Sequence, residues 1–377
     1  MNMSNKTGLF NVSQVRVVFI TDAYAGFGGT WTYYHDLVEN LGGYLDHVEL
    51  LCPPAKDSHN YAKRMSFPMP GDKTQKVFIP NFWQIGEKIR NIHPHIIVVS
   101  TPGPYGIIGM VQAKHLRIQL FVVFQTEFDK LTNIYWNRIL YRLSKIYLDG
   151  IFKLFFRMGF VVMMPNPELK KRIRKMGAYN VEVMGTPIPK DFQEKPILPL
   201  RKEIASVLYL GRLAQEKNID AILNSAERFQ NLRFVIAGDG PLRDKVIERA
   251  KSLYNLEYLG WVPRQTVLSL IDQSDMLILP SKVEAFGTVA LEAMARKRLV
   301  LVSPNCGIAR NPLLSRGFFR IHHGESLASA IYRIKCMDHC KRQKIADLAR
   351  QTAEIYNTET TNQWIELISR SLRLSKS

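Results

Sequence analysis

Two cationic side chains near the middle of the chain are placed to bind a phosphorylated ligand. Arg212 and Lys217 lie five residues apart, directly after the apolar run Val207–Leu210 and Gly211. If that run is a parallel strand, both cations sit at its carboxyl end, where doubly wound sheets bind ligands. A guanidinium can hold two phosphate oxygens and an ammonium acts as a point charge, so the pair could clamp a diphosphate. Two solvated loop cations are the alternative.

Two carboxylates flank the start of a later helix. Glu284 precedes Phe286 and Gly287, where a helix is expected to begin, and Glu292 lies about one and a half turns inside it. A glycine at a helix N-terminus lets an anion approach the free N–H groups. Glu284 could then accept hydrogen bonds from sugar hydroxyls and Glu292 from a ribose diol. Alternatively, Glu284 only complements the helix dipole and Glu292 is an ordinary exposed helix residue.

A glycine-rich loop follows the first apolar run of the chain. Gly26, Gly28 and Gly29 come after Asp22 and before a helix expected near Thr30. Glycines here would let backbone N–H groups approach a ligand, although a plain tight turn is an equal alternative. The spacing is not G-x-G-x-x-G, which argues against a nicotinamide or flavin cofactor.

Composition limits the architecture and the partners. The chain has 377 residues, 46% of them apolar, which is enough for two domains. Its net charge of +18 leaves nucleic acid, anionic lipid and phosphorylated substrates open as partners. Residues 1–14 are polar and unlike a signal peptide, and no run approaches the length of a membrane-spanning helix, so we expect a soluble or peripheral protein. Cys336 and Cys340 are expected one turn apart on a helix, reduced and without metal.

Short β-branched runs alternate with helix-length segments in both halves of the chain, which is typical of buried parallel strands in doubly wound α/β sheets. The prolines of 186–199 favour a domain junction near 186–203. We therefore predict a flexible 1–14, an N-terminal Rossmann-like domain at 15–190, a C-terminal one at 200–355, and a helix within 356–377 that packs back on the first domain. A polar break is expected at Asn357–Thr361. The strands are expected at Val15–Ile20, Val48–Leu51, Val77–Pro80, Ile96–Ser100, Leu120–Phe124, Phe160–Met164, Val181–Met184, Val207–Leu210, Phe234–Ala237, Leu256–Leu259, Met276–Leu279 and Val300–Val302.

Three segments of the second half resemble the retaining glycosyltransferases of family 4. They read GRLAQEKN (211–218), VIAGDGPLRDKV (235–246) and YLGWVPRQTVLSLIDQSDMLILPSKVEAFGTVALEAMA (258–295), in the family's order and spacing. The first half matches more loosely, through STPGPYG (100–106) and FQTEFDKL (124–131), and the former is most similar to the phosphatidylinositol mannosyltransferase-like, glycolipid-forming branch. The resemblance implies the GT-B fold, in which two Rossmann-like domains face each other across a cleft.

The resemblance also implies roles for single residues. Arg212 and Lys217 would bind the donor diphosphate and neutralise the leaving group, while Glu284 would bind the transferred sugar and Glu292 the ribose. The remaining donor-binding residues would be Gly28, Gly29, Gly211, Phe286, Gly287 and Thr288. The donor would be a UDP- or GDP-sugar, a co-substrate rather than a cofactor, and the absence of a D-x-D pair fits a metal-independent reaction.

Two positions depart from the family pattern. Gln125 stands where the family usually has His beside the anomeric centre, and Gln donates a hydrogen bond but does not titrate near neutral pH. After Val302 the chain reads Ser-Pro-Asn-Cys-Gly307, where the family often has Gly-Gly-x-Pro-Glu.

Residues 134–158 combine aromatic and aliphatic residues with cations and a single acid, Asp149. This pattern suits the surface of an anionic membrane, while a buried helix with a basic edge is the alternative. The expected surface residues are Trp136, Arg138, Arg142, Lys145, Lys153 and Arg157.

The leading hypothesis is an enzyme on the cytoplasmic face of a membrane that transfers a sugar to a lipid or lipid-linked acceptor. A soluble saccharide acceptor and a catalytically weak nucleotide-sugar-binding protein are the alternatives. Nucleic-acid binding rests on charge alone, because no recognition-helix, zinc or RNA-binding motif is present in the sequence.

Overall fold

A computed structural model describes residues 12–26, 28–55, 65–69, 72–125, 137–165 and 167–374. It contains two six-stranded parallel sheets. The strands are β1 (Arg16–Ile20), β2 (His47–Leu51), β3 (Ser66–Met69), β4 (Asp72–Phe78), β5 (Ile96–Val99), β6 (Gln119–Val123), β7 (Val161–Met164), β8 (Val181–Val183), β9 (Ser206–Leu210), β10 (Arg233–Ala237), β11 (Leu256–Gly260), β12 (Met276–Leu279), β13 (Leu299–Val302) and β14 (Phe319–Arg320).

The helices alternate with the strands along the chain. They are α1 (Gly28–Leu41), α2 (Phe82–Ile92), α3 (Pro104–His115), α4 (Arg138–Met158), α5 (Lys170–Lys175), α6 (Lys190–Glu194), α7 (Ile219–Arg228), α8 (Arg243–Ser252), α9 (Arg264–Gln273), α10 (Thr288–Ala295), α11 (Leu327–Lys335) and α12 (His339–Leu374). Short 3-10 turns lie at Val12–Gln14, Pro167–Leu169, Gln215–Lys217, Gly307–Arg310 and Leu314–Arg316.

The first sheet has the order β2-β1-β5-β6-β7-β8 and the second β11-β10-β9-β12-β13-β14. In β1, Val18 and Ile20 pack in an apolar cluster on one face, and Val17 and Phe19 pack in another on the opposite face. Burial on both faces explains why the strands read as continuous apolar runs. The α/β class and the pair of doubly wound parallel sheets are thus confirmed.

The run Val77–Pro80 was predicted as a strand of the parallel sheet, and that prediction was wrong. Residues 72–78 form β4, which pairs antiparallel with β3 and lies outside the parallel sheet. The register of this hairpin pairs Phe67 with Val77. A short apolar run does not reveal its partner strand, because periodicity reports burial and not pairing. The two-residue strand β14, at the edge of the second sheet, was missed.

Helix α12 has 36 residues and belongs to both halves of the molecule. Its first part packs with the second sheet through Ala349 and Ala353, and its last part packs with the first sheet through Trp364 and Ile368. The predicted break at 357–361 was wrong, since the helix runs through this segment, and the helix starts well before residue 356.

Buried polar side chains in and beside that segment face the connector between the sheets. The Asn357 side chain accepts a hydrogen bond from the N–H of Ile188 (2.7 Å), and the Tyr356 hydroxyl accepts one from the N–H of Thr186 (3.2 Å). Thr360, 1% exposed, lies against Gly185. Backbone groups of a buried connector need partners, and these side chains provide them.

The close approach of Gly185 to α12 gives a stability prediction. A Cβ on Gly185 would overlap Thr360 Oγ1, so Gly185→Ala should lower the free energy of unfolding by about 1–3 kcal/mol, as overpacking does. Thr360→Ala, combined with it, should recover part of the loss. Denaturant unfolding measures both effects, and Gly43→Ala, which meets no atom within 4 Å, is the control. Equal unfolding midpoints for Gly185→Ala and Gly43→Ala would contradict the packing described.

Candidate functional site

The cations predicted after β9 are each paired with a carboxylate. Arg212 Nη1 lies 2.7 Å from Glu216 Oε1, and Lys217 Nζ lies 2.6 Å from Glu284 Oε2. The pairs are largely shielded from solvent: the Lys217 and Glu284 side chains are 17% and 19% exposed, and Glu216 is buried. The two cations and two carboxylates balance in formal charge, and the pairing holds the cations in place.

Backbone hydrogen bonds join the three loops that follow β9, β12 and β13. The Glu216 carbonyl accepts from the N–H of Lys282 (2.7 Å), and the Glu284 carbonyl accepts from the N–H of Gly307 (3.0 Å). A side chain on Gly307 would overlap the Ala285 carbonyl, so the approach requires glycine. The segment 303–307, which differs from the family pattern, therefore still packs against the loop that carries Glu284.

The helix start lies beside this cluster. Gly287 has φ 101° and immediately precedes α10, so Thr288 is the first helical residue. A Cβ on Gly287 would lie 3.7 Å from Glu284 Cγ, so the Glu284 side chain passes beside the helix start. Phe286 is buried and stacks on Tyr356 of α12 with ring centroids 5.8 Å apart, which anchors the loop. Gly211 lies between β9 and the loop that carries Arg212 and Lys217. Its N–H donates to the carbonyl of Ala237, the last residue of β10.

Glu292 lies apart from that cluster, in a buried ionic contact between the two halves. Arg264, the first residue of α9, bonds through Nη2 to Glu292 Oε1 (2.6 Å) and to Asp36 Oδ2 of α1 (2.8 Å). Burial raises the pKa of Glu292, and the Arg264 charge opposes that shift. Glu292 is thus not the exposed helix carboxylate of the alternative interpretation.

The glycine loop of the first half faces the second. Gly28, with φ 81°, and Gly29 begin α1 and are exposed, and a Cβ added at either position would meet no atom within 4 Å. A Cβ on the neighbouring Gly26 would lie 3.8 Å from the Trp261 ring, which follows β11. Gln125 follows β6, and its side chain lies near the Tyr33 hydroxyl of α1, which donates to the Gly185 carbonyl (3.2 Å). Residues 126–131 of the FQTEFDKL segment lie outside the described residues.

The N-terminus of α3 is already occupied by an internal carboxylate. Asp22 accepts hydrogen bonds from the N–H of Tyr105 (2.8 Å) and from the Thr101 hydroxyl (2.5 Å). Burial raises the pKa of Asp22, and these bonds offset part of that shift. The STPGPYG turn thus packs against the end of β1.

Comparison with known proteins fits this geometry. Residues 27–192 match the model of "Glycosyltransferase Family 4" and residues 190–311 that of "Glycosyl transferases group 1". The chain belongs to the family-4 glycosyltransferases. The recognition made from GRLAQEKN and the segments that follow it is confirmed.

Individual relatives cover parts of the family-4 chain. It is 32% identical to the alpha-D-kanosaminyltransferase of Streptomyces kanamyceticus over 29% of this chain and 30% of that protein. It is 29% identical to a GDP-mannose-dependent alpha-(1-6)-phosphatidylinositol dimannoside mannosyltransferase of Mycobacterium tuberculosis, over 40% of each. The matches therefore span less than half of either relative.

A solved structure covers nearly the whole chain. Anabaena HepE, crystallised with UDP-glucose, superposes with a TM-score of 0.69 at 16% identity, over 97% of this chain and all of that one. At this identity the likeness supports the fold alone. The GT-B arrangement of two Rossmann-like domains is confirmed.

The predicted surface cations of the family-4 chain lie on α4. They are all exposed: Arg138, Arg142, Lys145, Lys153 and Arg157. Trp136 lies outside the described residues. In the part of the chain that the structure describes, no helix combines the length and the apolarity that crossing a bilayer requires.

Among the described residues, one group of metal-ligand types comes together. His35, Asp36 and Glu39 have ligand atoms within 4.8 Å of one another. The Arg264 guanidinium already binds Asp36, so a cation entering the group would meet a positive charge. Metal independence stays a prediction.

Sequence reasoning missed three members of these networks: Glu216, Asp36 and Arg264. Glu216 had a local signal, its position four residues after Arg212, which suits an i,i+4 pair. Asp36 and Arg264 are 228 residues apart, and nothing in either segment announces their contact.

The cysteines give a chemical test of the loop contacts. The prediction of one helix for Cys336 and Cys340 was wrong, because α11 ends at Lys335 and α12 starts at His339. Both are exposed, whereas Cys306 is fully buried and bonds to the Leu279 carbonyl. Burial raises the pKa of the Cys306 thiol to about 12.

We expect alkylation of the folded protein at pH 8 to modify Cys336 and Cys340 quickly and to spare Cys306, because the thiolate is the reactive form. Mass mapping of iodoacetamide adducts measures this, and urea-unfolded protein, in which Cys306 should react, is the control. Equal native labelling rates at Cys306 and Cys336 would refute the closed loop.

Proposed function

We propose that this chain is a retaining glycosyltransferase that moves a sugar from a UDP- or GDP-sugar to a lipid or lipid-linked acceptor. The observation that carries the donor assignment is the charge-balanced cluster of Arg212, Lys217, Glu216 and Glu284. Glu284 connects this cluster to the start of α10. A donor diphosphate would add negative charge beside two preplaced cations and free helix N–H groups.

The cluster suits the charge that develops during transfer. The bond between the anomeric carbon and the diphosphate oxygen breaks, and the electron pair leaves with the nucleoside diphosphate. Arg212 and Lys217 would stabilise that leaving group, while Glu284 would accept hydrogen bonds from sugar hydroxyls. The acceptor oxygen would bond to the anomeric carbon on the face that the diphosphate leaves, and its proton would pass to the departing phosphate. Gln125 therefore need only donate a hydrogen bond and need not titrate.

The names of similar proteins are consistent with both donor bases. HepE was crystallised with UDP-glucose, and the similar mycobacterial mannosyltransferase is GDP-mannose-dependent. Arg212 and Lys217 would bind the phosphates whichever base is attached. They therefore support a nucleotide-sugar donor without identifying its base.

Exposed apolar side chains of α4 support a lipid acceptor. Ile139, Leu143 and Ile146, at helical spacing i, i+4, i+7, are 72%, 60% and 72% exposed. Arg138, Arg142 and Lys145 line the adjacent face. Cations beside an apolar stripe suit an anionic membrane surface, where the stripe enters the headgroup region.

A second group of exposed apolar side chains lies in and beside the β3–β4 hairpin and at the start of α2. It comprises Met65, Phe67, Ile79, Phe82 and Trp83, each at least 42% exposed. Buried contacts link β4 of this hairpin to α4: Phe78 packs on Tyr24 (6.0 Å), Asp22 binds Thr101, and Tyr147 of α4 donates to the Pro102 carbonyl (2.7 Å). Two groups of exposed apolar side chains in the same domain favour a surface that binds a membrane or another molecule. They support peripheral attachment, on the cytoplasmic face where nucleotide sugars are supplied.

The donor assignment predicts selective thermal stabilisation. A UDP- or GDP-sugar at about 100 times its dissociation constant should stabilise the folded chain by about 2.7 kcal/mol. Lys217→Met should abolish most of the shift in melting temperature. Lys251→Met, which removes an exposed lysine of the same domain, should keep the shift in melting temperature.

Glu284→Gln should lower the transfer rate by about 100-fold, as loss of a group that interacts with the transition state does. No stabilisation by any nucleotide sugar would refute the proposal.

The acceptor assignment predicts membrane binding through α4. The wild-type chain should co-sediment with phosphatidylglycerol vesicles at physiological salt. Leu143→Glu with Ile146→Glu should weaken binding by about tenfold or more, since each buried apolar side chain contributes on the order of 1 kcal/mol. Tyr254→Glu, at an exposed aromatic of the second domain (82%), is the control. Wild-type protein that stays in the supernatant would favour a soluble saccharide acceptor.

A further inference from the structure

A buried ionic junction connects the two domains through one guanidinium nitrogen. Arg264 Nη2 donates to Asp36 Oδ2 of α1 (2.8 Å) and to Glu292 Oε1 of α10 (2.6 Å). Both carboxylate side chains are at most 2% exposed and Arg264 is 16% exposed. Nη2 carries two hydrogens, so it can serve one carboxylate from each domain at once.

The junction is placed rigidly beside the connector between the domains. The Arg264 guanidinium lies over the Phe192 ring of α6, 5.3 Å from its centroid. Asn40, one turn after Asp36 on α1, donates to the Ile188 carbonyl (3.1 Å). The contact therefore lies where the chain passes from the first sheet to the second, and changes in domain orientation would act on it directly.

Charge makes the junction sensitive to the loss of one member. It contains two buried carboxylates and one guanidinium, with His35 Nδ1 3.5 Å from Asp36 Oδ1. Removing Arg264 would leave two buried carboxylates without their shared cation, which is costly. Neutralising Asp36 would leave a balanced pair of Arg264 and Glu292.

We propose that Arg264 is a positioning residue that orients Glu292 for the ribose hydroxyls of the donor and, through Asp36, makes this orientation depend on the first domain. The inference rests on the proposed function, in which Glu292 binds ribose. Oε1 is held by Arg264, and Oε2 is the oxygen that accepts from a ribose hydroxyl. Asp36 then affects ribose recognition without touching the nucleotide.

Discrimination between ribose and deoxyribose tests this role. Calorimetry gives the dissociation constants of UDP and GDP and of their 2′-deoxy and 3′-deoxy forms, and the ratio of deoxy to ribo constants measures ribose recognition. The wild-type ratio should be about 10- to 100-fold for at least one deoxy form, as for loss of a hydrogen bond to a charged group. Arg264→Met should reduce the ratio below about threefold, because the carboxylate is no longer held.

Asp36→Asn is the second variant, since it keeps a charge-balanced pair and should fold even if Arg264→Met does not. It should lower the ratio by about threefold or more while the affinity for the deoxynucleotide stays unchanged. Arg249→Met, which breaks an exposed pair with Glu227 in the same domain, should keep the wild-type ratio. General destabilisation would weaken the ribo and deoxy forms alike and leave the ratio unchanged.

The outcomes separate the two proposals. Wild-type ratios in both Asp36→Asn and a folded Arg264→Met would overturn the positioning role alone, with nucleotide binding intact. A wild-type chain that binds neither UDP nor GDP would overturn the proposed function and this inference with it.

Discussion

The ion pair between Lys217 and Glu284 is the contact on which the candidate site depends. Its members come from loops that follow β9 and β12, 67 residues apart, and each loop is held by the backbone of a neighbour. The Glu216 carbonyl fixes the Lys282 segment, and Gly307 closes against Glu284 from the loop after β13. Because the strands are parallel and adjacent, their carboxyl ends present these loops at one edge. The cations are thus positioned before any anion arrives, which reduces the cost of ordering them on binding.

The two domains are connected by more than a linker. Helix α12 packs on both sheets, and its polar middle satisfies the backbone of the connector through Asn357 and Tyr356. Arg264 adds a buried ionic link between α1 and α10. The Arg212–Lys217 loop and the start of α10 in the second domain are therefore connected to α1 of the first. A change in domain orientation would alter the contacts of Arg264 and of α12.

The membrane hypothesis and the donor hypothesis rest on different parts of the molecule. The donor cluster is charged, largely shielded and confined to the second domain, whereas the apolar stripe of α4 is exposed and lies on the first. The Asp22 carboxylate accepts from the N–H of Tyr105 at the N-terminus of α3. It therefore takes the place that a phosphate of an acceptor headgroup would need. Attachment to a membrane would then depend on α4 and on the exposed apolar side chains in and beside the β3–β4 hairpin.

Local chemistry let the sequence by itself determine the class of fold, the family and most members of the charged cluster that follows β9 and β12. Apolar runs buried on both faces reveal parallel strands, and Arg212, Lys217, Glu284 and Gly287 are recognisable because their spacing places them at strand ends and a helix start. Only the tertiary structure decided that the run before Pro80 belongs to a hairpin, that Asn357–Thr361 continue a helix, and that Arg264 joins Asp36 to Glu292. Each of those depends on a partner distant in sequence, and hydrophobic period and turn chemistry carry no information about which distant segment a residue will meet.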